Sequence, residues 1–179
     1  MGIVTKNGDK GRTCRLGGKR VNKDHICVEV CGCLDELCAF LGLGRSLIRH
    51  ARTQAIIRDI QQDLFIAGAE VSAGSSNRSR LKTRIGPEHV RELDEHIRRT
   101  KSRAGISGRG FFIPGGNPQA AALDVARAAA RRVERRIVTL ERRGGLKNPH
   151  MLAYFNRLSD LLFLMSRSLE TRSDRVRSQ

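Results

Sequence analysis

Two Asn-Pro dipeptides, Asn117-Pro118 and Asn148-Pro149, constrain this chain most, because each pairs a helix-capping side chain with the residue best tolerated at a first helical position. After the first, apolar residues recur at helical spacing until Gly144-Gly145 supplies a glycine C-cap, which predicts a helix of about 25 residues. After the second, Leu152, Phe155, Leu158, Leu162, Met165 and Leu169 form a seam on one face of another helix. Three more helices follow from the same logic. The first is read from Asp24 to Leu43. The second runs from Gln54 to Ala73 and is stopped by Gly74-Ser75-Ser76-Asn77. A shorter one opens at Gly86-Pro87 and ends before Gly105. The prediction is an all-α, five-helix bundle. A 179-residue chain is long enough to bury a full core as one domain. Within it we read an N-terminal segment over 1–23, a helical bundle over 24–172 and a polar tail over 173–179.

Composition narrows the class. Lys and Arg number 34 against 18 Asp and Glu, a formal net charge of +16, and no uncharged apolar run of 18 residues is present to cross a bilayer. Met1 to Lys6 lacks the apolar core of a signal peptide, so a cytoplasmic protein is expected. The five cysteines, Cys14, Cys27, Cys31, Cys33 and Cys38, are odd in number and crowded, unlike a secreted disulfide framework. With no CxxC pair they read as small packing residues, the alternative being soft metal ligands with His25 nearby.

The first 23 residues differ from the rest. Thr5-Lys6-Asn7-Gly8-Asp9-Lys10-Gly11-Arg12-Thr13, followed by Gly17-Gly18-Lys19-Arg20 and Lys23, combines glycines, hydroxyls and cations. Such a loop can turn backbone N–H groups onto one anion and neutralise it, as a phosphate cradle does. It lacks the GxxxxGK[ST] pattern, and a solvated basic arm has the same composition. A second constellation is Arg127, Arg131, Arg132, Glu134 and Arg135. Arg127, Arg131 and Arg135 repeat at i+4, where like charges oppose the helix by a few tenths of a kcal/mol per pair unless anions answer them. Exposed helices also carry such stripes. Third, Asp35 and Glu36 are the charges within Cys31 to Leu43, and Asn156 with Asp160 interrupts the last seam. A buried carboxylate there would need an Arg or a metal, in catalysis or in a structural ion pair.

These blocks, with Gly32-Cys33-Leu34-Asp35-Glu36-Leu37, Ile113-Pro114-Gly115-Gly116 and Asn156-Arg157-Leu158-Ser159-Asp160, resemble the propanediol-utilisation-type ATP:cob(I)alamin adenosyltransferases, in the family's order from residue 5 to about 167. The resemblance implies a homotrimer with active sites between subunits. It also implies transfer of the 5′-deoxyadenosyl group of ATP to the cobalt of cob(I)alamin, or of cob(I)yrinic acid a,c-diamide, with release of triphosphate. By similarity Thr5, Lys6, Asn7, Gly8, Asp9, Lys10, Gly11, Arg12, Thr13 and Lys23 would hold ATP with Arg131, Glu134, Arg135 and Asn156. Arg127 would pair with Asp35 across the subunit boundary, and Phe111, beside Phe112, would help displace the lower cobalt ligand. Mg²⁺ would enter on the ATP phosphates without an assigned protein ligand. The implied partners are the chain itself, an electron-donating reductase and an adenosylcobalamin-dependent acceptor enzyme, with no nucleic acid and no membrane. Asn7, Cys38 and Asp124 depart from the family pattern, and Asp124 lies where it can compete for Arg127. An Arg-rich nucleic-acid-binding protein and a non-catalytic cobalamin- or nucleotide-binding relative are the alternatives.

Overall fold

The computed structural model describes residues 6–104 and 112–170. A short antiparallel hairpin, β1 (Arg12–Cys14) and β2 (Arg20–Asn22), leads into α1 (Ile26–Leu47), α2 (Ala51–Asn77), a single 3₁₀ turn (Arg78–Arg80), α3 (Pro87–Ala104), α4 (Pro118–Arg142) and α5 (Pro149–Leu169). The five helices are those expected. α1 packs on α2 and α4, α4 on α5, and α5 on α3. No helix among the described residues is long and apolar enough to cross a membrane. The tail expected over 173–179 lies outside the described residues.

Local chemistry explains the boundaries. Asn117 Oδ1 accepts the Ala120 N–H at 2.8 Å, and Asn148 Oδ1 accepts the His150 N–H at 3.1 Å, so both Asn-Pro starts are true caps. The first two helices begin with a cap the sequence reading passed over, a histidine ring. His25 Nδ1 accepts from Cys27 N at 3.1 Å and His50 Nδ1 from Thr53 N at 3.3 Å. α1 runs past the predicted Leu43 because its glycines serve packing: a Cβ on Gly44 would stand 3.1 Å from Leu123 Cδ2. The predicted stop at Gly74 is a break rather than an end. Gly74 has φ +64° and ψ −174°, after which one more turn reaches Asn77. The N-terminal segment, expected as an ordered loop, contains the hairpin because Gly17 and Gly18, both at positive φ, reverse the chain between Cys14 and Arg20.

The core is built from the predicted seams. Leu37 and Leu41 of α1, Ile57 and Leu64 of α2, Phe155, Leu158 and Leu162 of α5 and the Ala126, Ala130, Val133, Ile137 face of α4 are buried together. Cys27 and Cys33 are buried among them, Cys31 and Cys38 are half-buried, and Cys14 is exposed. This fits the packing reading. Burial pushes the Cys31 thiol up to about 11.

One polar cluster lies inside. Glu70 of α2 is fully buried and accepts from Asn148 Nδ2 at 2.9 Å and from Ile85 N at 3.2 Å, while Arg78 Nε stands 3.0 Å from its Oε1. Arg78 also donates to Lys147 O at 2.7 Å, and Asn148 to Ile85 O at 3.0 Å. The segments before α3 and before α5 are thereby tied to the middle of α2.

Candidate functional site

The arginines of α4 divide into two sets. Arg132 bonds Glu36 and Arg136 lies 3.3 Å from Glu29, so these two are neutralised by α1. Arg131 and Arg135 are exposed and have no ion pair among the described residues. The helix thus keeps two like charges at i+4 with no anion of its own to answer them. Arg127 Nε lies 3.2 Å from Asp124 Oδ1, so the competition anticipated from sequence is present within the chain.

Beside the free pair, Asn156 Nδ2 of α5 approaches Glu134 Oε1 at 3.4 Å, and Asn156 Oδ1 accepts from Arg157 Nη1 at 3.0 Å. Two residues 22 positions apart in sequence, expected to share one nucleotide site, do meet. Asp160, one turn further along, is exposed.

The N-terminal loop folds back on itself. Asp9 N donates to Lys6 O at 3.3 Å, Gly11 N to Gly8 O at 3.1 Å and Lys23 N to Gly11 O at 2.9 Å. Gly8 approaches Lys23 so closely that a Cβ would sit 3.0 Å from its Nζ. Arg20 Nη2 donates to Asn7 O at 3.1 Å. Lys6, Lys10, Arg12 and Lys23 are therefore gathered around a turn whose backbone bends twice, with Lys6 at φ +56° and Gly11 at φ +70°. With these N–H groups spent inside the loop, it is the four cations that suit an oligophosphate. Thr5 lies outside the described residues.

Asp35 and Glu36 correct one premise. Both are exposed rather than buried, because α1 turns Cys33, Leu34 and Leu37 to the core. Glu36 takes Arg132, whereas Asp35 has no hydrogen bond or ion pair among the described residues. Asp35 stands on an apolar groove of about 310 Å³ between α1 and α2, with Cys31, Cys38 and Leu64 among its walls. Phe65 and Leu16 flank it at 68% and 49% exposure. These are large apolar side chains left in water on the single chain.

At the other end of α4, the ring centroid of Phe112 is 6.0 Å from that of Phe163, and the Arg167 guanidinium carbon lies 5.5 Å from the Phe112 ring. Arg167 is buried and bonds Asp124, which also accepts from Ser166 Oγ at 2.9 Å. This support for Phe112 was missed in the sequence. Its signal was Asp124, a carboxylate on the apolar face of Leu123 and Ala126, which had to find a buried cation. Phe111 lies outside the described residues.

Comparison with known proteins decides the family: a model described as cobalamin adenosyltransferase matches residues 3–169. The chain belongs to the cobalamin adenosyltransferase family. A corrinoid adenosyltransferase from Citrobacter freundii is 40% identical over 172 residues, which cover 96% of this chain and 97% of that protein. The corrinoid adenosyltransferase PduO of Salmonella typhimurium is 36% identical, and this chain spans about half (49%) of its length. Among solved structures, a phenylalanine-to-alanine variant of a PduO-type ATP:corrinoid adenosyltransferase from Lactobacillus reuteri, complexed with cobalamin and ATP, superposes with a TM-score of 0.89. It is 32% identical, covering 99% of this chain and 100% of that one.

Proposed function

We propose that this enzyme transfers the 5′-deoxyadenosyl group of ATP to the cobalt of cob(I)alamin or cob(I)yrinic acid a,c-diamide, as a homotrimer with ATP held between the N-terminal loop and α4. The reading is carried by Arg131 and Arg135, which have no ion pair among the described residues, beside the Glu134–Asn156 contact, on a chain 40% identical to a corrinoid adenosyltransferase over nearly its whole length.

In the reaction the Co(I) electron pair attacks C5′. A Co–C bond forms, the C5′–O bond breaks, the pair in that bond leaves with triphosphate, and cobalt becomes formally Co(III). Co(I) is already a strong nucleophile, so the protein needs neither a nucleophile nor a general base of its own. Its residues position and neutralise instead, and orientation alone supplies roughly 7 to 11 kcal/mol when two reactants are held in line. Lys6, Lys10, Arg12 and Lys23 would hold the triphosphate. Arg131 and Arg135 would stabilise the charge that grows on it as the bond breaks. Mg²⁺ would enter on the ATP phosphates, without an assigned protein ligand, and offset their charge. Phe112, fixed by Phe163 and Arg167, would stand with Phe111 against the lower corrin face and keep water from it. A reductase supplies Co(I), and an enzyme that uses adenosylcobalamin consumes the product.

The exposed Asp35 and the apolar Leu16 and Phe65 beside it suit burial against a second copy, with Asp35 meeting the partner's Arg127. Asp35→Asn is then expected to weaken assembly and turnover. Glu36→Gln, whose partner Arg132 lies in the same chain, leaves the sedimentation coefficient unchanged. Equal sedimentation and activity for the two variants would remove Asp35 from the interface.

The function is tested anaerobically. Chemically reduced cob(I)alamin, mixed with protein, Mg²⁺ and ATP, should lose its absorbance as light-sensitive adenosylcobalamin forms. No change in the spectrum over many enzyme equivalents of ATP would sink the assignment.

A further inference from the structure

The hairpin that carries the proposed phosphate loop has one buried side chain, Val21, among residues 12–22. A two-stranded ribbon this small does not hold its own position, so something else must fix it on the bundle. That anchor is at its tip. Arg15 Nε donates to Ser72 O at 3.1 Å and Arg15 Nη2 to Val71 O at 3.3 Å, while Leu16 N donates to Ser72 Oγ at 2.9 Å. Gly17 closes on Asn77, where a Cβ would stand 2.5 Å from Nδ2.

The break in α2 makes the anchor possible. In an uninterrupted helix the Val71 and Ser72 carbonyls would accept from residues 75 and 76. With Gly74 at φ +64° they end a helical segment, where orphan carbonyls attract a cation. Gly74 also makes room: a Cβ there would lie 2.3 Å from Arg15 Nη2. The left-handed backbone and the missing side chain thus serve one contact.

We propose that Arg15 is a positioning residue for ATP: by clasping the broken C-terminal part of α2, it sets the hairpin, and with it the loop from Lys6 to Thr13 and Lys23, at the distance from α4 that the nucleotide spans. This rests on the nucleotide reading given above. Arg15 itself touches neither ATP nor the reacting atoms, so its removal is felt in ATP affinity and not in the chemical step.

The experiment measures steady-state adenosylation and tryptic cleavage after Lys10 and Arg12 in the full-length enzyme, with ATP as the variable. Arg15→Met is expected to raise KM for ATP at least fivefold. kcat at saturating ATP and KM for cob(I)alamin stay within twofold. The ATP concentration that protects the loop from trypsin rises in parallel. Arg15→Lys, which keeps a cation at the carbonyls but loses the fork, falls between. Gly74→Ala, which expels the guanidinium without touching the loop, shifts the ATP values as Arg15→Met does. If Arg15→Met fails to fold, Ser72→Ala, which removes only the acceptor of Leu16 N–H, is expected to raise KM for ATP two- to threefold. An unchanged KM for ATP in the folded variants, or an equal loss in kcat and in both KM values, overturns the clasp. Wild-type protein that neither turns over nor is protected by ATP overturns the underlying nucleotide reading instead.

Discussion

Arg131→Ala is expected to lower kcat/KM for ATP by roughly ten- to more than a hundredfold, while Arg132→Ala, one residue along the same helix, changes it little. The difference follows from where each charge is already spent. Arg132 is neutralised by Glu36, so its removal costs an exposed ion pair of the kind worth about 0 to 1 kcal/mol. Arg131 has no anion among the described residues, and its neighbour Arg135 repels it. A phosphate that loses a charge-assisted hydrogen bond in such a site loses about 1.5 to 3 kcal/mol, which sets the range given. Arg131→Lys should recover part of the loss, since it restores charge without the planar fork. The measurement is the initial rate of adenosylation against ATP concentration for the three variants. Indistinguishable rates for Arg131→Ala and Arg132→Ala would place the nucleotide elsewhere.

That contrast between neighbours shows where the sequence was legible. The run of arginines in α4 marks a stripe, but helical spacing alone does not say which of them α1 neutralises. The partition depends on Glu29 and Glu36 arriving from another helix at the right height. The same limit applies to Asp35: its apolar neighbours in sequence suggested burial, yet the alternation of faces along α1 leaves it in water. Helix starts at Asn117 and Asn148 were plain because the cap and the Pro act on adjacent residues. Those at His25 and His50 were not, since a histidine caps only when its ring can fold back on the first turn. The hairpin was hidden for a related reason. Its strands are three residues long, too short for an alternation to register, and what holds them is Arg15 reaching residues 56 and 57 positions away. Periodicity reports the faces of long elements; contacts that cross from a loop to a broken helix leave no period to read.

Glu70→Ala is expected to destabilise the fold by about 3 to 5 kcal/mol. Glu70 is fully buried, and its carboxylate accepts from two donors, Asn148 Nδ2 and the Ile85 N–H, and forms an ion pair with Arg78, whose Nε stands 3.0 Å away. Removing it strands the buried Arg78 Nε and the buried Ile85 N–H, although the rest of the Arg78 side chain is part-exposed, so the loss exceeds that of one exposed ion pair. The cluster also ties the entries to α3 and α5 to the middle of α2, and its failure should loosen both helix starts together. Asn148→Ala should be less severe in itself, losing a cap worth about 1 kcal/mol together with its bonds to Glu70. Because the two residues share those bonds, the double variant should be less destabilised than the sum of the singles. Urea unfolding followed by far-ultraviolet circular dichroism checks this, with the m-value watched for any change in cooperativity. A loss below about 1 kcal/mol for Glu70→Ala, or strict additivity with Asn148→Ala, would mean that the cluster fills space without holding the segments in place. The larger loss would mean that one buried acid in α2 sets where α5 begins, and through α5 where Asn156 meets Glu134.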